Sequence, residues 1–158
     1  MTSSGHILII DDEVSLRQTL ARILQRAGFE VTTAANGAEG VSLVSQHLFD
    51  LVYLDIRMPD MSGLELLKTI HAKYPDLPVI LFTAQPDLNS AVEALRNGAT
   101  DYLLKPLKPQ AVVERTNSIL ANQQKERRKR ELLRQIDSLQ DELNALESPQ
   151  GEKTHLKP

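Results

Sequence analysis

Residues 7–13 read ILIIDDE, four aliphatic side chains followed directly by three acidic ones. The aliphatic run does not alternate with polar residues, and this pattern is typical of a β-strand that is covered on both faces, as in a parallel sheet. Similar short β-prone runs recur along the chain, each ending near small, polar or charged residues. The predicted strands cover residues 7–10, 31–35, 51–54, 79–82 and 102–104.

Helical patterns separate the predicted strands. In these intervals apolar residues recur three and four positions apart, which is the spacing of one face of an α-helix. Residues that interrupt helices, glycine and proline, follow several of these patterns. The first four predicted helices cover residues 16–24, 38–47, 64–70 and 91–97, with Gly28, Pro75 and Gly98 after the first, third and fourth.

The regular alternation of strands and helices defines the fold class. It implies right-handed crossovers and an α/β fold, a doubly wound five-stranded parallel sheet with helices on both faces. In sheets of this kind, functional sites form at the carboxyl ends of the strands. The residues that follow each strand are therefore the first candidates for a functional site.

A fifth helix begins at Pro109, a favourable first helical position. Neither glycine nor proline occurs from residue 110 to residue 148, so an uninterrupted helix of about 38 residues, on the order of 57 Å, is sterically allowed. The second part of this helix has apolar residues at alternating steps of four and three, which is heptad spacing and favours a parallel homodimeric coiled coil. These residues are Leu132, Ile136, Leu139, Leu143 and Leu146.

Length and composition predict one compact domain with an appendage. The chain has 158 residues, 41% hydrophobic and 25% charged, as in soluble globular proteins. We expect the domain in residues 1–123, the helical extension in 124–148 and a flexible tail or linker in 149–158. The absence of cysteine, of an export signal and of a long apolar segment favours a cytoplasmic protein without membrane contact.

Three carboxylates follow predicted strands. Asp11 and Asp12 come after the first strand and Asp55 closes the third, so a parallel sheet would bring all three to one edge. Carboxylates held together repel one another, and a hard cation such as Mg²⁺, which prefers oxygen ligands, offsets that cost. The alternative for the first pair is a loop that caps the following helix through Asp12 or Glu13.

Thr83 and Lys105 stand at the ends of the fourth and fifth predicted strands. Alone, each has an ordinary interpretation, a β-prone residue and a solvated charge. Together with the carboxylates they supply a hydroxyl donor and a cation at the same edge. Such a set can bind a phosphoryl group and stabilise the charge on its oxygens during in-line transfer.

Four motifs in the same order resemble the receiver domains of two-component response regulators. They are LIIDDE at residues 8–13, LVYLDIRMPDMSG at 51–63, ILFTA at 80–84 and NGATDYLLKPL at 97–107. The resemblance covers residues 6–123 and implies a flavodoxin-like fold.

The resemblance implies roles for the acidic residues. Asp55 would be the phosphoacceptor and would form an acyl phosphate. Asp12, Asp55 and the backbone carbonyl of Arg57 would coordinate Mg²⁺ directly, and Asp11 would contribute through water.

The resemblance also implies how a phosphorylated chain would change. Lys105 would pair with the phosphoryl group, and Thr83 would hydrogen-bond to it. In the family the peptide bond before the proline at position 106 is often cis. Tyr102 stands at the family's switch position and would turn inward when Thr83 moves, although a tyrosine that packs and never moves is the alternative.

The expected function is therefore a switch rather than a metabolic enzyme. A sensor histidine kinase or phosphotransfer protein would supply the phosphoryl group, and the chain would change its dimerisation or an attached output, in transcriptional control. A non-phosphorylated interaction scaffold with the same fold is the alternative. The basic run KERRKR at residues 125–130 is interpreted as the solvated face of a helix, so no direct contact with nucleic acid is expected from this segment. The sequence leaves open which output domain, if any, follows.

Overall fold

The computed structural model describes residues 5–147, and in this range five strands alternate with five helices. This confirms the predicted order of elements. The strands and helices are β1 (His6–Ile10), α1 (Val14–Arg26), β2 (Glu30–Ala34), α2 (Gly37–Gln46), β3 (Leu51–Asp55), α3 (Gly63–Lys73), β4 (Val79–Thr83), α4 (Leu88–Arg96), β5 (Asp101–Leu104) and α5 (Pro109–Leu146).

The five strands form one parallel sheet with the order β2-β1-β3-β4-β5. The predicted fold class is thus confirmed. The order reverses at β1, since β2 lies on one side of it and β3 on the other. In doubly wound sheets the crevice at such a reversal, at the carboxyl ends of the strands, is the usual position of a site.

Helices cover both faces of the sheet, and a hydrophobic cluster fills each interface. One cluster joins side chains of β1, β3 and β4 to α2, α3 and α4, with Leu66, Leu67 and Ala94 among its fully buried members. The other joins the same strands to α1 and α5, through residues such as Leu24 and Val112. Because both faces are covered, the three central strands β1, β3 and β4 are nearly continuous apolar runs, whereas the edge strands β2 and β5 are less buried.

The observed boundaries differ most from the predicted ones at the end of α3, which continues three residues further to Lys73, and at the start of α4. The α4 helix begins at Leu88, three residues before the predicted start, because the side chain of Asp87 accepts a hydrogen bond from the Ser90 backbone N–H at 2.8 Å and so caps it. Leu88 lies four and seven residues before Val92 and Leu95, so it fits the helical spacing, but its side chain is largely exposed. The β2 strand begins one residue early, at Glu30.

The chain divides into two compact units, Met1–Leu120 and Ala121–Pro158. The first contains the sheet, α1 to α4 and the start of α5, where Val112 and Thr116 are buried and Val113 is half-buried. The described part of the second consists of the remainder of α5, with its heptad residues exposed. The predicted boundaries at residues 123 and 148 stay predictions, and the expected tail lies outside the described residues. In residues 5–147 no helix is long and apolar enough to cross a membrane.

Candidate acidic site at the carboxyl edge of the sheet

Three carboxylates meet where β1 and β3 end. Asp11 and Asp12 directly follow β1, Asp55 is the last residue of β3, and one oxygen of each lies within 4.8 Å of the others. Asp11 is 0% exposed and Asp55 4%, whereas Asp12 is exposed. The adjacency of β1 and β3 in the sheet causes this convergence, as the sequence predicted.

Asp11 has one carboxylate oxygen without a hydrogen-bond donor among the described residues. Its Oδ1 accepts a hydrogen bond from the Glu13 backbone N–H at 3.1 Å, but Oδ2 is buried and accepts none from the described residues. Burial, and to a smaller extent the neighbouring Asp55, raise the pKa of Asp11 to about 7. A buried carboxylate oxygen without a donor needs an explanation, and a hydrated divalent cation supplies one. The three residues therefore fit Mg²⁺.

Asp55 is held by a backbone donor and a cation. The Arg57 N–H donates to Oδ1 at 3.2 Å, and the Lys105 ammonium donates to Oδ2 at 3.3 Å. The ammonium also lies 3.9 Å from Asp11 Oδ2. It stands over the Phe82 ring, 5.1 Å from the centroid, in cation–π geometry. The Lys105–Pro106 peptide bond is cis, as the resemblance implied.

Thr83 is the last residue of β4, which pairs with β3 beside Asp55, and Tyr102 is the second residue of β5. The Thr83 hydroxyl is buried and accepts a hydrogen bond from the Gln85 backbone N–H at 3.2 Å. Tyr102 is half-buried against the cluster formed with α2 to α4, and its hydroxyl is buried without a hydrogen bond of standard geometry. Burial raises the pKa of Tyr102. The structure confirms that Thr83 ends β4, and the roles of Thr83 as hydroxyl donor and Tyr102 as switch stay predictions.

The structure also tests whether the acidic run after β1 caps the following helix. Glu13 occupies the N-cap position of α1, but its side chain makes no capping hydrogen bond, so capping does not explain the acidic run. The Arg57 side chain is exposed, so this residue contributes to the site through its backbone.

Three contacts around the site were not predicted. Arg17 donates to the Asp11 backbone carbonyl at 2.7 Å, Phe82 lies under the Lys105 ammonium, and Asp60 accepts hydrogen bonds from the start of α2. Each joins residues that are distant in sequence or lie on different elements. Only the position of Asp60 after Pro59, in the loop that follows Asp55, offered a signal.

Comparisons with known proteins agree with this geometry. The family model "Response regulator receiver domain" matches residues 7–117. The chain therefore belongs to the response regulator receiver family, here followed by a long C-terminal helix. Receiver domains are signalling proteins rather than enzymes, they pair with histidine kinases, and an acidic triad is typical of their Mg²⁺ site.

Two curated relatives of this chain are transcription regulators. The chain is 44% identical over 126 residues to the DNA-binding transcriptional regulator NtrC of Escherichia coli, covering 78% of this chain and 27% of NtrC. It is 45% identical over 101 residues to the transcriptional regulatory protein ZraR of Klebsiella oxytoca, covering 64% of this chain and 23% of ZraR. The chain thus spans about a quarter of the length of these relatives.

Solved structures show the same fold. A CheY-like receiver domain from Methanospirillum hungatei matches with a TM-score of 0.77 at 35% identity, over 78% of this chain and 99% of that one. NtrX from Brucella abortus matches with a TM-score of 0.78 at 31% identity, over 83% of this chain and 30% of that one.

Proposed function

We propose that the chain accepts a phosphoryl group on Asp55 from a histidine kinase or phosphotransfer protein, with Mg²⁺ bound by the acidic site. The observation that carries this proposal is the convergence of three carboxylates with the Lys105 ammonium at one edge of the sheet. Such a site has the parts that in-line phosphoryl transfer requires, an acceptor, cation ligands and a fixed positive charge.

In the proposed reaction, a carboxylate oxygen of Asp55 forms a bond to phosphorus while the phosphorus–nitrogen bond of the donor phosphohistidine breaks. The electron pair of the broken bond returns to the donor imidazole. Asp12, Asp55 and the Arg57 carbonyl would hold Mg²⁺ directly and Asp11 through water, and the bound ion would supply positive charge to offset that of the phosphoryl oxygens. The Lys105 ammonium, 3.3 Å from Asp55, is close enough to pair with the phosphoryl group.

Thr83 and Tyr102 are the proposed switch. The Thr83 hydroxyl donates to the Gln85 backbone carbonyl at 3.5 Å, so it must exchange this acceptor to donate to a phosphoryl group on Asp55. That movement would change the space beside Tyr102 and the surface formed by α4, β5 and α5. A fixed Tyr102 would make no such response.

The proposed output is a change in dimerisation or in an attached domain that controls transcription. The relatives named above are transcription regulators, and this chain covers only their receiver-length portion. A cytoplasmic location belongs to the same proposal, since receiver domains typically work there. The basic residues 125–130 are exposed, and we assign them to solvent rather than to nucleic acid.

The proposed homodimer forms through α5. The heptad side chains of its second part expose between 41% and 83% of their surface, which is unusual for so many aliphatic residues on one stripe. A second copy of the same helix, parallel and in register, would cover them.

Labelling by a phosphorylated donor tests the proposed acceptor. With Mg²⁺ and a phosphohistidine donor, the wild type should become labelled, and Asp55→Asn should remain unlabelled because it lacks the nucleophilic carboxylate. Asp137→Asn, which removes an exposed carboxylate of α5, is the matched control and should be labelled like the wild type. Chelation of Mg²⁺ should abolish labelling. Equal labelling of Asp55→Asn and the wild type would refute the proposal, and no labelling of either would favour an interaction scaffold.

A further inference from the structure

We propose that Asp60 is a positioning residue for the Mg²⁺ site, because it ties the loop that carries the Arg57 carbonyl to the N-terminus of α2. The inference rests on the proposed function and extends it to a residue outside the acidic group. Asp60 is exposed and lies five positions after Asp55. Both of its carboxylate oxygens accept hydrogen bonds, from the backbone N–H groups of Gly37 and Ala38, each at 3.1 Å.

Asp60 completes the hydrogen bonds of the first turn of α2. The Asn36 side chain, the N-cap, accepts from the Glu39 N–H at 2.8 Å. The two preceding N–H groups, of Gly37 and Ala38, are satisfied instead by Asp60. These backbone donors lower the pKa of Asp60, so the carboxylate is charged at neutral pH. The contact is thus a charge-assisted one at the positive end of a helix.

The loop approaches α2 closely at this point. A β-carbon added at Gly37 would lie 3.1 Å from Cβ and 3.2 Å from Sδ of Met61. At the far end of the loop, the Gly63 N–H donates to the Ile56 carbonyl at 2.7 Å, and a β-carbon there would overlap the Asp55 carbonyl oxygen. The loop is therefore anchored beside Asp55 at both of its ends, while Asp60 anchors its middle to a different element.

The N-terminus of α2, to which Asp60 binds, is itself connected to the acidic site through the end of β2. The Asp11 backbone N–H donates to the Ala34 carbonyl at 3.1 Å, which fixes the carboxyl end of β1 to that of β2, directly before α2. A continuous path thus runs from Asp11 through Ala34 and the start of α2 to Asp60 and the loop. This path sets the position of the Arg57 carbonyl relative to the Asp11 and Asp12 carboxylates, which follow β1. Without Asp60, the two ends of the loop would stay attached beside Asp55, but its middle would no longer be attached to α2.

Two substitutions at the same helix terminus separate positioning from helix stability. Asp60→Ala removes the connection to the loop, whereas Asn36→Ala removes a cap of the same helix and leaves the loop attached. Mg²⁺ alone is titrated into each full-length variant and followed by calorimetry. Asp60→Ala should raise the dissociation constant roughly tenfold, as for groups that orient metal ligands. Asn36→Ala should leave it within about twofold of the wild type, although both variants melt at lower temperature.

Asp60→Asn is the second variant, because its amide keeps one acceptor oxygen and should give an intermediate affinity. Amide hydrogen exchange without Mg²⁺ gives a readout independent of the metal: Gly37 and Ala38 should lose protection in Asp60→Ala while Glu39 keeps it. Wild-type affinity in Asp60→Ala, or an equal loss in Asn36→Ala, would overturn the inference and leave the proposed function intact. If the wild type and Asp12→Asn bound Mg²⁺ with the same affinity, both the proposed function and the positioning role of Asp60 would be refuted.

Discussion

Tyr53 and Thr116 form a hydrogen bond inside the apolar core. Their oxygens lie 2.6 Å apart, Tyr53 is on β3 two residues before Asp55, and both side chains are fully buried. Thr116 also bonds to the Val112 carbonyl of its own helix at 2.7 Å, whereas the Tyr53 hydroxyl lies 3.4 Å from that carbonyl. The buried pair gives α5 one defined position on β3, which apolar packing alone would specify less sharply.

These distances predict unequal effects of removing the two hydroxyl groups. Tyr53→Phe leaves Thr116 bonded to Val112, so the free energy of unfolding should fall by about 0.5–1.5 kcal/mol. Thr116→Val leaves the buried Tyr53 hydroxyl with only the long contact to Val112, and should cost about 1–3 kcal/mol. Urea denaturation followed by circular dichroism measures both. A larger loss for Tyr53→Phe would contradict this account of the pair.

The raised pKa of Asp11 predicts a pH dependence of the metal-free protein. The pKa is about 7 in the folded chain and 3.8 in an unfolded one, so between these values the folded state binds more protons. Stability therefore decreases as pH rises through this window and levels off above pH 7. Asp11→Asn, which carries no charge, should remove most of this decrease and should be more stable than the wild type at pH 8, by on the order of 1 kcal/mol.

Thermal denaturation of both proteins from pH 5 to pH 8, with a chelator present, measures this effect. Saturating Mg²⁺ should reduce the decrease in the wild type, because the cation replaces the proton as the partner of the carboxylate. Parallel pH profiles of the wild type and Asp11→Asn would show that Asp11 is not the responsible group.

The sequence predicted the acidic residues because each follows a strand, and strand order then brings them together. The positions of Asp11, Asp55 and Lys105 could be predicted from the parallel sheet alone, because each follows or ends a strand. Asp60 and Phe82 were not predicted, because their contacts depend on how a loop meets α2 and on the orientation of one ring over a neighbouring strand. Such contacts are set by packing between elements, and strand and helix periodicity do not report them.

At the scale of elements, the second part of α5 predicts a particular dimer register. Lys125 and Lys129 stand seven residues before Leu132 and Ile136, so they occupy core positions of the preceding heptad. In a parallel, in-register dimer each lysine faces its own copy. This repulsion should confine the coiled coil to the part of the helix after Lys129.

Lys129→Leu should therefore tighten the dimer. It adds an apolar layer to the proposed seam, and burial of leucine contributes about 1.5–3 kcal/mol, so the dissociation constant should fall about tenfold or more. Arg127→Leu makes the same kind of change two residues earlier, on the outer face of the heptad, and is the matched control. Sedimentation equilibrium over a concentration series measures both. Equal tightening by the two variants would indicate general apolar association, and no tightening by Lys129→Leu would rule out this register.

The elements themselves were predicted more completely than their ends. Covered strands were recognisable because each is an uninterrupted apolar run. The first turn of α4 was not recognised, because the capping residue Asp87 resembles any loop aspartate in sequence. Leu88 fits the helical spacing with Val92 and Leu95, so periodicity did offer a signal for this turn.

At the scale of the whole molecule, the residues proposed for phosphoryl acceptance and those proposed for dimerisation lie in different compact units. The acidic site lies entirely in Met1–Leu120, and both hydrophobic clusters are complete by Leu120. The exposed heptad stripe lies in the second unit. A fragment of residues 1–123 should therefore fold and bind Mg²⁺ with beryllofluoride, an analogue of the phosphoryl group, but remain monomeric.

Thermodynamic linkage makes the proposed connection between the two units measurable. If saturating beryllofluoride tightens the homodimer by some factor, the two sites of the dimer must together bind beryllofluoride more tightly by that factor, which is its square root for each site. The apparent affinity of the full chain for beryllofluoride, at fixed Mg²⁺, should then increase with protein concentration across the dimer dissociation constant. The fragment 1–123 and the Ile136→Lys variant of the whole chain should each show one affinity for beryllofluoride at all protein concentrations, because neither can form the coiled coil. A concentration-independent affinity in a wild type that does dimerise would mean that α5 pairs two receivers without sensing their phosphorylation, since a ligand bound equally well by monomer and dimer shifts neither population.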